Sequence, residues 1–257
     1  MAVIHHSHNA IVAKLEPNIV LKYSRYAWWD YPHDAEHEPV IREAKDSLLI
    51  EERILLALGS HPRIIEFLGH YHPQGLKFIE ADKGDLQAYI NKSFSAITLE
   101  DQVRWILQAS EAIAYIHSKG IIHSDLRPEN FLLFSRPDGR MDLRLCDFGG
   151  SKYGDLYGGN LPDAGFFDPR HGLTPTPATD IFSLGSVFFT ITYGHWPHWD
   201  NEEPPLYQVK VDDLFSRGEF PPVDHITGPI INSCWKGKYA TANLLLEDCR
   251  NLCAGFQ

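Results

Sequence analysis

Ile121-Ile-His-Ser-Asp-Leu-Arg-Pro-Glu-Asn130, followed after a short interval by Leu145-Cys-Asp-Phe-Gly149, concentrates acidic, amide and basic side chains in two short segments. Phosphoryl transfer needs a carboxylate to orient the acceptor hydroxyl and further oxygens to hold a metal on the phosphates. Carboxylate and amide oxygens are the ligands that magnesium prefers. Asp125, Asn130 and Asp147 meet both needs, so these segments predict a phosphoryl-transfer site.

Composition narrows the class of protein. A chain of 257 residues has room for one large domain or two small ones. The net charge of −11 argues against nucleic acid or an anionic membrane as the main partner, because polyanions bind basic surfaces. Four cysteines without metal-ligand spacing, and the absence of a long apolar run or a leader pattern, favour a reducing compartment. We therefore expect a cytoplasmic protein.

The first third of the chain has the pattern of a small sheet with one helix. Val40–Leu58 carries apolar residues at helical spacing and is followed by Gly59, which predicts a helix that ends there. The polar, proline-containing interval Ala27–Pro39 predicts a loop. β-Rich segments bounded by turn residues predict strands at Ala10–Leu15, Asn18–Tyr23, Ile64–His70 and Leu76–Glu80.

The remainder of the chain is mostly helical by pattern. Thr98-Leu-Glu-Asp101 has the form of a capping box and predicts a helix that continues through His117. Asp180–Tyr193 is apolar nearly all round, which is typical of a helix buried within a domain. Phe131–Phe134 and Met141–Cys146 predict a hairpin. A strand-rich part followed by a helical part indicates an α+β fold with a cleft between the parts.

The string from Ile121 to Phe134, with Asp147-Phe-Gly149 behind it, resembles the eukaryotic protein kinase family. Asp180-Ile-Phe-Ser-Leu-Gly185 resembles the start of that family's central helix, and the overall look is similar to divergent kinase-like proteins of filamentous fungi. The resemblance covers nearly the whole chain. It implies one bilobal domain over residues 1–257, with a β-rich N-lobe at 1–80 carrying one main helix, and a larger, mostly helical C-lobe at 81–257 that includes a hinge at 80–85.

The resemblance also implies roles for single residues. Asp125 stands for the catalytic aspartate, and Asn130 and Asp147 stand for the magnesium ligands. Arg127 takes the place of the usual lysine that contacts the transferred phosphate, with the same charge but a different hydrogen-bond geometry. The implied cofactors are ATP and Mg²⁺, and the implied partner is a protein substrate of a monomeric enzyme. The implied nucleotide contacts are Val20, Ile79 as gatekeeper, the backbone of Glu80 and Asp82 at the adenine, Asp85 near the ribose, and Leu132 beneath the base.

The family's nucleotide-clamping ion pair needs a lysine on a strand and a glutamate on the helix that follows. Lys22 closes the apolar run Ile19-Val-Leu-Lys22 and resembles that lysine. The pattern before His61-Pro62 selects Glu51, although helical spacing alone does not separate Glu51 from Glu52. A carboxylate on a buried helix face is costly unless it is paired, so we expect Lys22 to pair with one of the two.

Three departures from the family pattern bear on activity, and a fourth position differs as well. Ile4-His-His-Ser-His-Asn9 stands where the family has its glycine-rich loop, which lets backbone N–H groups approach the phosphates. Ser124 replaces the arginine that pairs with a phosphorylated activation segment, so no such switch is expected. The family's activation segment ends in Pro-Glu, and this chain has Phe166-Phe-Asp-Pro-Arg170 there. The family's glutamate pairs with a basic residue of the C-terminal helices, for which Lys238 is the candidate. Arg170 would repel Lys238, so we expect a contact rebuilt through Asp168. The usual threonine beside the catalytic aspartate is also missing, and Asp163 stands about there.

The retained chemical groups favour an active protein kinase that transfers the γ-phosphate of ATP to a protein hydroxyl. Leu126-Arg-Pro-Glu-Asn130 resembles serine/threonine kinases, whereas Cys234-Trp235 points weakly towards tyrosine kinases. The alternative is a pseudokinase, a nucleotide-binding or scaffolding module, because the glycine-rich loop is missing. A small-molecule kinase is a third hypothesis, which Asp147-Phe-Gly149 and the helix at Asp180 disfavour.

Overall fold

Residues 2–7, 9–26, 37–71, 75–159, 162–172 and 174–256 are described by a computed structural model of the chain. Most of the predicted loop at Ala27–Pro39 falls outside these residues, and its last two residues belong to the first helix.

The first part of the chain builds an antiparallel sheet with the spatial order β1-β2-β3-β5-β4. The predicted strand that starts at Ile64 is shorter than expected, because Ile64 forms only an isolated bridge to Leu145 and the strand begins at Phe67. The five strands are β1 (Val3–His6), β2 (Ala10–Glu16), β3 (Ile19–Ser24), β4 (Phe67–Tyr71) and β5 (Gly75–Ile79).

The strand register assigns side chains to the two faces of this sheet. Residues directly opposite each other in an antiparallel pair share a face. One face carries the row Val12–Lys22–Leu76 and the row Lys14–Val20–Phe78. The other face carries the row Ala13–Leu21–Lys77. The lysine singled out in the sequence therefore shares its face with Val20 and with Lys14.

Helix α1 (Glu38–Leu58) packs against this sheet. Pro39 stands in its first turn, where a missing N–H costs nothing, and Gly59 ends it at a positive φ of 65°. The helix buries an apolar stripe that includes Ile54 and Leu58, together with the carboxylate of Glu51, which is 1% exposed. That buried carboxylate is the part of the helix that needs a chemical explanation.

The second part is mainly helical. The capping box predicted at Thr98 is present, and the helix it opens ends at Ser118. The predicted hairpin at Phe131 is also present. The helices are α2 (Leu86–Ser93), α3 (Leu99–Ser118), α4 (Pro177–Tyr193), α5 (Pro204–Ser216), α6 (Gly228–Trp235) and α7 (Ala242–Ala254). The strands are β6 (Ile121–Ile122), β7 (Phe131–Ser135), β8 (Met141–Leu145), β9 (Lys152–Tyr153) and β10 (Leu156–Tyr157).

Helix α4 is the centre of this second part. All of its residues from Asp180 to Thr192 are buried, as its apolar pattern predicts. The α+β expectation, with a strand-rich first part and a helical second part, is confirmed. Within the described residues, no helix combines the length and the apolarity that a membrane span requires.

Candidate active site

Lys22 joins two carboxylates from different parts of the chain. Its Nζ lies 2.7 Å from Oε2 of Glu51 on α1 and 2.7 Å from Oδ1 of Asp147 after β8. Of the two glutamates that the sequence left open, Glu51 makes this contact, whereas Glu52 lies 3.3 Å from Nδ1 of His70. The N–H of Phe148 also donates to Glu51, at 3.3 Å. The ion pair therefore ties the sheet, the helix and the Asp-Phe-Gly segment together.

Electrostatics keep the lysine charged within this group. Burial lowers the pKa of Lys22, but the carboxylates of Asp147 and Glu51 outweigh burial and raise the pKa overall. Burial raises the pKa of Glu51 by more than the charge of Lys22 lowers it, so the pKa is raised overall. For Asp147, burial is outweighed by the charge of Lys22, and the pKa is lowered. The site thus holds a cation and an ionised Asp147 side by side, as phosphate and metal binding require.

The backbone of the catalytic-loop segment is fixed by a buried carboxylate on α4. Oδ2 of Asp180 accepts the N–H of His123 at 2.8 Å and lies 2.8 Å from Nε2 of His117, and Oδ1 accepts the N–H of Ser124 at 3.0 Å. Ser124 has a positive φ of 71°, a conformation that L-residues rarely adopt. The Asp180 contacts hold this strained turn and thereby aim Asp125, the next residue.

Asp125 and Asn130 lie together at the end of this loop. Nδ2 of Asn130 donates to the backbone oxygen of Asp125 at 2.6 Å, which leaves the Asn130 side-chain oxygen as an acceptor. Burial raises the pKa of Asp125, and the charges of Asp147 and Asp163 add to that effect. The loop also packs on the strand before Asp147, because Nε2 of His123 lies 3.0 Å from the backbone oxygen of Cys146.

These oxygens fit magnesium. Oδ1 of Asp147 accepts a hydrogen bond from Lys22, and the Asp147 side chain is 39% exposed. The amide nitrogen of Asn130 donates to Asp125, so its side-chain oxygen can still accept. One carboxylate and one amide oxygen are therefore available to a metal. Among the described residues, no group of three or more His, Cys, Asp or Glu side chains could hold a metal ion. Such a pair suits a metal that completes its shell with phosphate oxygens and waters, as magnesium does.

Arg127 has a partner that the sequence analysis did not pair with it. Its Nη1 donates to Oδ2 of Asp163, and its Nε lies 3.9 Å from Oε2 of Glu129. Burial lowers the pKa of Arg127, but the charges of Asp163 and Asp125 raise it overall. At both positions the sequence was expected to depart from the pattern it resembles, with Asp163 about where a threonine is usual and Arg127 in place of a lysine. These two residues are in contact.

The register of β3 and β5 shows on which face the predicted gatekeeper lies. Phe78, and not Ile79, lies opposite Val20 on the face that carries Lys22. Phe78 is 5% exposed and packs with the main core, and its ring centroid is 5.7 Å from that of Phe67. Because side chains alternate along a strand, Ile79 lies on the opposite face.

The other predicted nucleotide contacts occupy distinct places in the segment after β5. The N–H of Glu80 donates to the oxygen of Asn18 at 2.8 Å, so this donor is already used by the protein. The Asp82 carboxylate accepts the N–H of Ser135 at 2.8 Å, and the Asp85 carboxylate caps α2 through the N–H of Ala88 at 2.8 Å. Leu132 on β7 is half-buried against the core and bridges to Asp85.

The segment after Asp147 lies close to the loop that carries Asp125. Oγ of Ser151 donates to the oxygen of His123 at 2.9 Å, and β9 pairs with β6. A Cβ on Gly158 would lie 2.1 Å from the oxygen of Gly149, and one on Gly149 would lie 2.1 Å from Oγ of Ser47. Backbone atoms of Gly149 and Gly150 therefore leave no room for a Cβ at Gly158, whereas a Cβ at Gly149 would first meet a serine hydroxyl that can rotate.

The end of that segment is anchored by a charge pair of its own. Nε and Nη2 of Arg170 donate to the two oxygens of Asp168, each at 2.7 Å, and Nη2 also donates to the oxygen of Trp235 at 2.8 Å. The guanidinium also lies 5.1 Å from the ring centroid of Phe220. The Asp168 side chain is 3% exposed. Asp168 therefore pairs with Arg170 within the same segment, and the link to the C-terminal helices runs from Arg170 to the backbone of Trp235.

The described residues of the sequence counterpart of the glycine-rich loop, which leave out His8, belong to the β1–β2 hairpin. Residues 4–6 belong to β1, every residue of which is exposed. The turn closes through the N–H of Ser7, which donates to the oxygen of Ala10 at 2.8 Å, and Oγ of Ser7 accepts the N–H of Ala10 at 3.0 Å. The covering element over the cleft is therefore small and weakly packed.

Lys22 thus lies between the helix residue Glu51 and Asp147, beside the loop that Asp180 holds. Residues 35–253 match the protein kinase domain family. The chain belongs to that family, as the sequence analysis expected.

Curated relatives carry kinase names. The chain is 31% identical over 216 residues to the probable serine/threonine-protein kinase gdt2 of Dictyostelium discoideum, which covers 72% of this chain and 12% of that protein. It is 29% identical over 182 residues to the phosphorylase b kinase gamma catalytic chain, liver/testis isoform, of Mus musculus, covering 63% and 42%. It is 30% identical over 175 residues to calcium/calmodulin-dependent protein kinase type 1 of Macrobrachium nipponense, covering 65% and 50%. The chain thus spans half or less of the length of each of these relatives.

Proposed function

We propose that this domain transfers the γ-phosphate of Mg-ATP to a serine or threonine hydroxyl of a protein. The observation that carries the proposal is the position of Lys22 at 2.7 Å from both Glu51 and Asp147. This arrangement presents one cation to the phosphates while an ionised carboxylate beside it is ready for a metal. The names of two of the relatives, a serine/threonine-protein kinase and a calmodulin-dependent protein kinase, support a protein acceptor.

In this proposal, each residue of the site has a separate task. Lys22 steadies the α- and β-phosphates, and Glu51 holds Lys22 in place. Asp147 and Asn130 bind magnesium, which when bound neutralises charge on the phosphate oxygens. Asp125 accepts a hydrogen bond from the acceptor hydroxyl and orients it for in-line attack.

Arg127 meets the transferred phosphate, and Val20 and Leu132 enclose the adenine from above and below. With Phe78 at the gatekeeper position, the adenine-facing backbone moves by one residue, to Ile79 and Ala81, in place of Glu80 and Asp82. This assignment agrees with the hydrogen bond that already engages the N–H of Glu80. Asp85 remains near the ribose in this proposal. The cytoplasmic location and the monomeric state stay predictions.

The second candidate function is a pseudokinase, and the β1–β2 hairpin is the observation that favours it. A short exposed turn supplies few N–H donors to the phosphates, and small misplacement of reactants can cost about two orders of magnitude in rate. The active function is preferred because the chain keeps Asp125, which binding a nucleotide does not require, after a turn that Asp180 holds through the N–H groups of His123 and Ser124.

Phosphate incorporation into a generic protein substrate tests the proposal. Purified wild-type protein is incubated with labelled Mg-ATP beside Asp125→Asn and Lys22→Met, and incorporation is expected only in the wild type. Equal incorporation in all three proteins would contradict the active reading. A thermal-shift series with ATP, with and without magnesium, separates the alternatives, since a ligand that binds only the native state raises the midpoint. A magnesium-dependent shift without turnover would favour the pseudokinase.

A further inference from the structure

Lys14 on β2 and Glu80 after β5 form an ion pair between strands that are not neighbours in the sheet. Nζ of Lys14 lies 3.1 Å from Oε1 and 3.0 Å from Oε2 of Glu80. Strand β3 lies between β2 and β5, so the two positions are about 10 Å apart across the sheet. Both side chains must extend towards each other across β3 to meet.

The face on which this contact forms is the face of the proposed nucleotide site. Lys14 lies opposite Val20, and Val20 lies opposite Phe78, in the row next to that of Lys22. Lys22 reaches Asp147 from the same face. The Lys14–Glu80 pair therefore spans the sheet at the end where the base is proposed to lie, beside Val20.

The properties of the two side chains suit a removable cover. Lysine can lay its four methylenes over apolar surface while the ammonium stays in water. The Lys14 side chain is 48% exposed and that of Glu80 is 22% exposed, so solvent reaches the pair. The neighbouring strand β1 is short and exposed. A glycine-rich loop is missing from the sequence, and the Lys14–Glu80 ion pair lies at the end of the sheet where the base is proposed to bind.

We propose that Lys14 and Glu80 form a clasp over the base end of the nucleotide cleft, which retains a bound nucleotide by slowing its release. The inference rests on the proposed nucleotide site. The Lys14 stem covers the base, and the Glu80 carboxylate fixes the ammonium at the hinge. Nucleotide enters and leaves when this pair opens.

The release rate of a fluorescent ADP analogue in stopped flow tests the clasp. Lys14→Met keeps the stem but removes the ammonium, and Glu80→Gln removes its carboxylate. Each is expected to speed release by about two- to five-fold, the effect of one partly exposed ion pair. The double variant is expected to be no faster than either single variant, because both remove the same interaction.

Lys77→Met provides the matched control. Lys77 lies on the opposite face of the same sheet, in the row of Leu21, and the same substitution there should leave release unchanged. Unchanged release in Lys14→Met and Glu80→Gln would overturn the clasp while nucleotide binding, and with it the proposed function, stands. Slower release or tighter binding in these variants would also overturn it, because the pair would then obstruct the cleft. Absence of binding in the wild type and all variants would instead overturn the proposed nucleotide site, and the clasp with it.

Discussion

Two regions of the candidate site differ in how their residues are held. One is the buried group of Lys22, Glu51, Asp147 and Asp180, called the floor, and the other is the β1–β2 hairpin, called the cover. On the floor, Asp180 alone accepts two backbone N–H groups, and Lys22 joins two carboxylates. In the cover, every residue of β1 is exposed, and a turn at Ser7 closes the hairpin. The charged groups of the floor are therefore held by several buried contacts each, whereas the β1–β2 cover is held by a few surface contacts.

The largest effect is expected on the floor. Lys22→Met leaves the Glu51 carboxylate, 1% exposed, without its cation, so the free energy of unfolding should fall by about 3–5 kcal/mol. Urea denaturation followed by circular dichroism measures the loss. The double variant Lys22→Met/Glu51→Leu should recover most of it, because no buried charge then remains unpaired. Equal losses in the single and double variants would show that the ion pair is not what these residues contribute.

Arg170→Leu should have the next largest effect. It leaves the Asp168 carboxylate, 3% exposed, without its guanidinium, and we expect a loss of about 2–3 kcal/mol in the free energy of unfolding. Arg217→Leu is the control, since Arg217 pairs with the exposed carboxylates of Asp213 and Glu219 and its replacement should cost less than about 1 kcal/mol. A similar loss in both variants would mean that the Asp168 pair stabilises no more than a surface pair.

Asp163→Asn should act on catalysis more than on stability. Without its partner, Arg127 is less well placed, and kcat/KM should fall about ten-fold. The pKa of Asp125 is raised by burial and further by the charge of Asp163. Activity that needs ionised Asp125 is lost as pH falls through that pKa, so removing the Asp163 charge should move the acid limb of kcat/KM to lower pH.

Asp155→Asn is the matched control for that experiment. Asp155 is an exposed carboxylate in the β9–β10 turn, and its loss changes the net charge equally. It should leave both kcat/KM and the acid limb in place. An acid limb that moves to higher pH in Asp163→Asn would contradict the assigned electrostatic role.

The smallest effect is expected in the cover. Val3→Ser and Ile4→Ser replace exposed side chains of β1, 47% and 53% exposed, and should change the free energy of unfolding by no more than about 0.5 kcal/mol. Leu21→Ala in the same sheet removes a fully buried side chain and should cost about 2–5 kcal/mol. A β1 effect as large as that of Leu21 would remove the contrast between floor and cover.

The parts predicted from sequence are those encoded by local spacing. The α+β layout, the capping box at Thr98 and the hairpin at Phe131 depend on residues close together in the chain. The faces of Phe78 and Ile79 could not be predicted, because a shift of one residue in a strand moves a side chain to the other face and the register of β3 with β5 cannot be read from the sequence. Phe78 could have been favoured only through that register.

Contacts between distant segments were also beyond local patterns. Asp163 lies 36 residues from Arg127, and Glu80 lies 66 residues from Lys14. Each residue alone is typical of a solvated surface, so only the folded chain brings the partners together. At both positions of the first pair the sequence departs from the pattern it resembles, but only the folded chain shows that Arg127 and Asp163 are partners.

The Asp180 brace has a consequence for the order in which the domain assembles. Its carboxylate holds the amides of His123 and Ser124, yet it belongs to a helix that is buried along most of its length. During synthesis the loop with Asp125 is complete well before α4 has emerged, so the chain carries its acceptor-orienting aspartate in an unfixed state until the central helix packs. These two amides should then exchange their hydrogens only when α4 itself unfolds, which makes them reporters of the most stable unit of the domain.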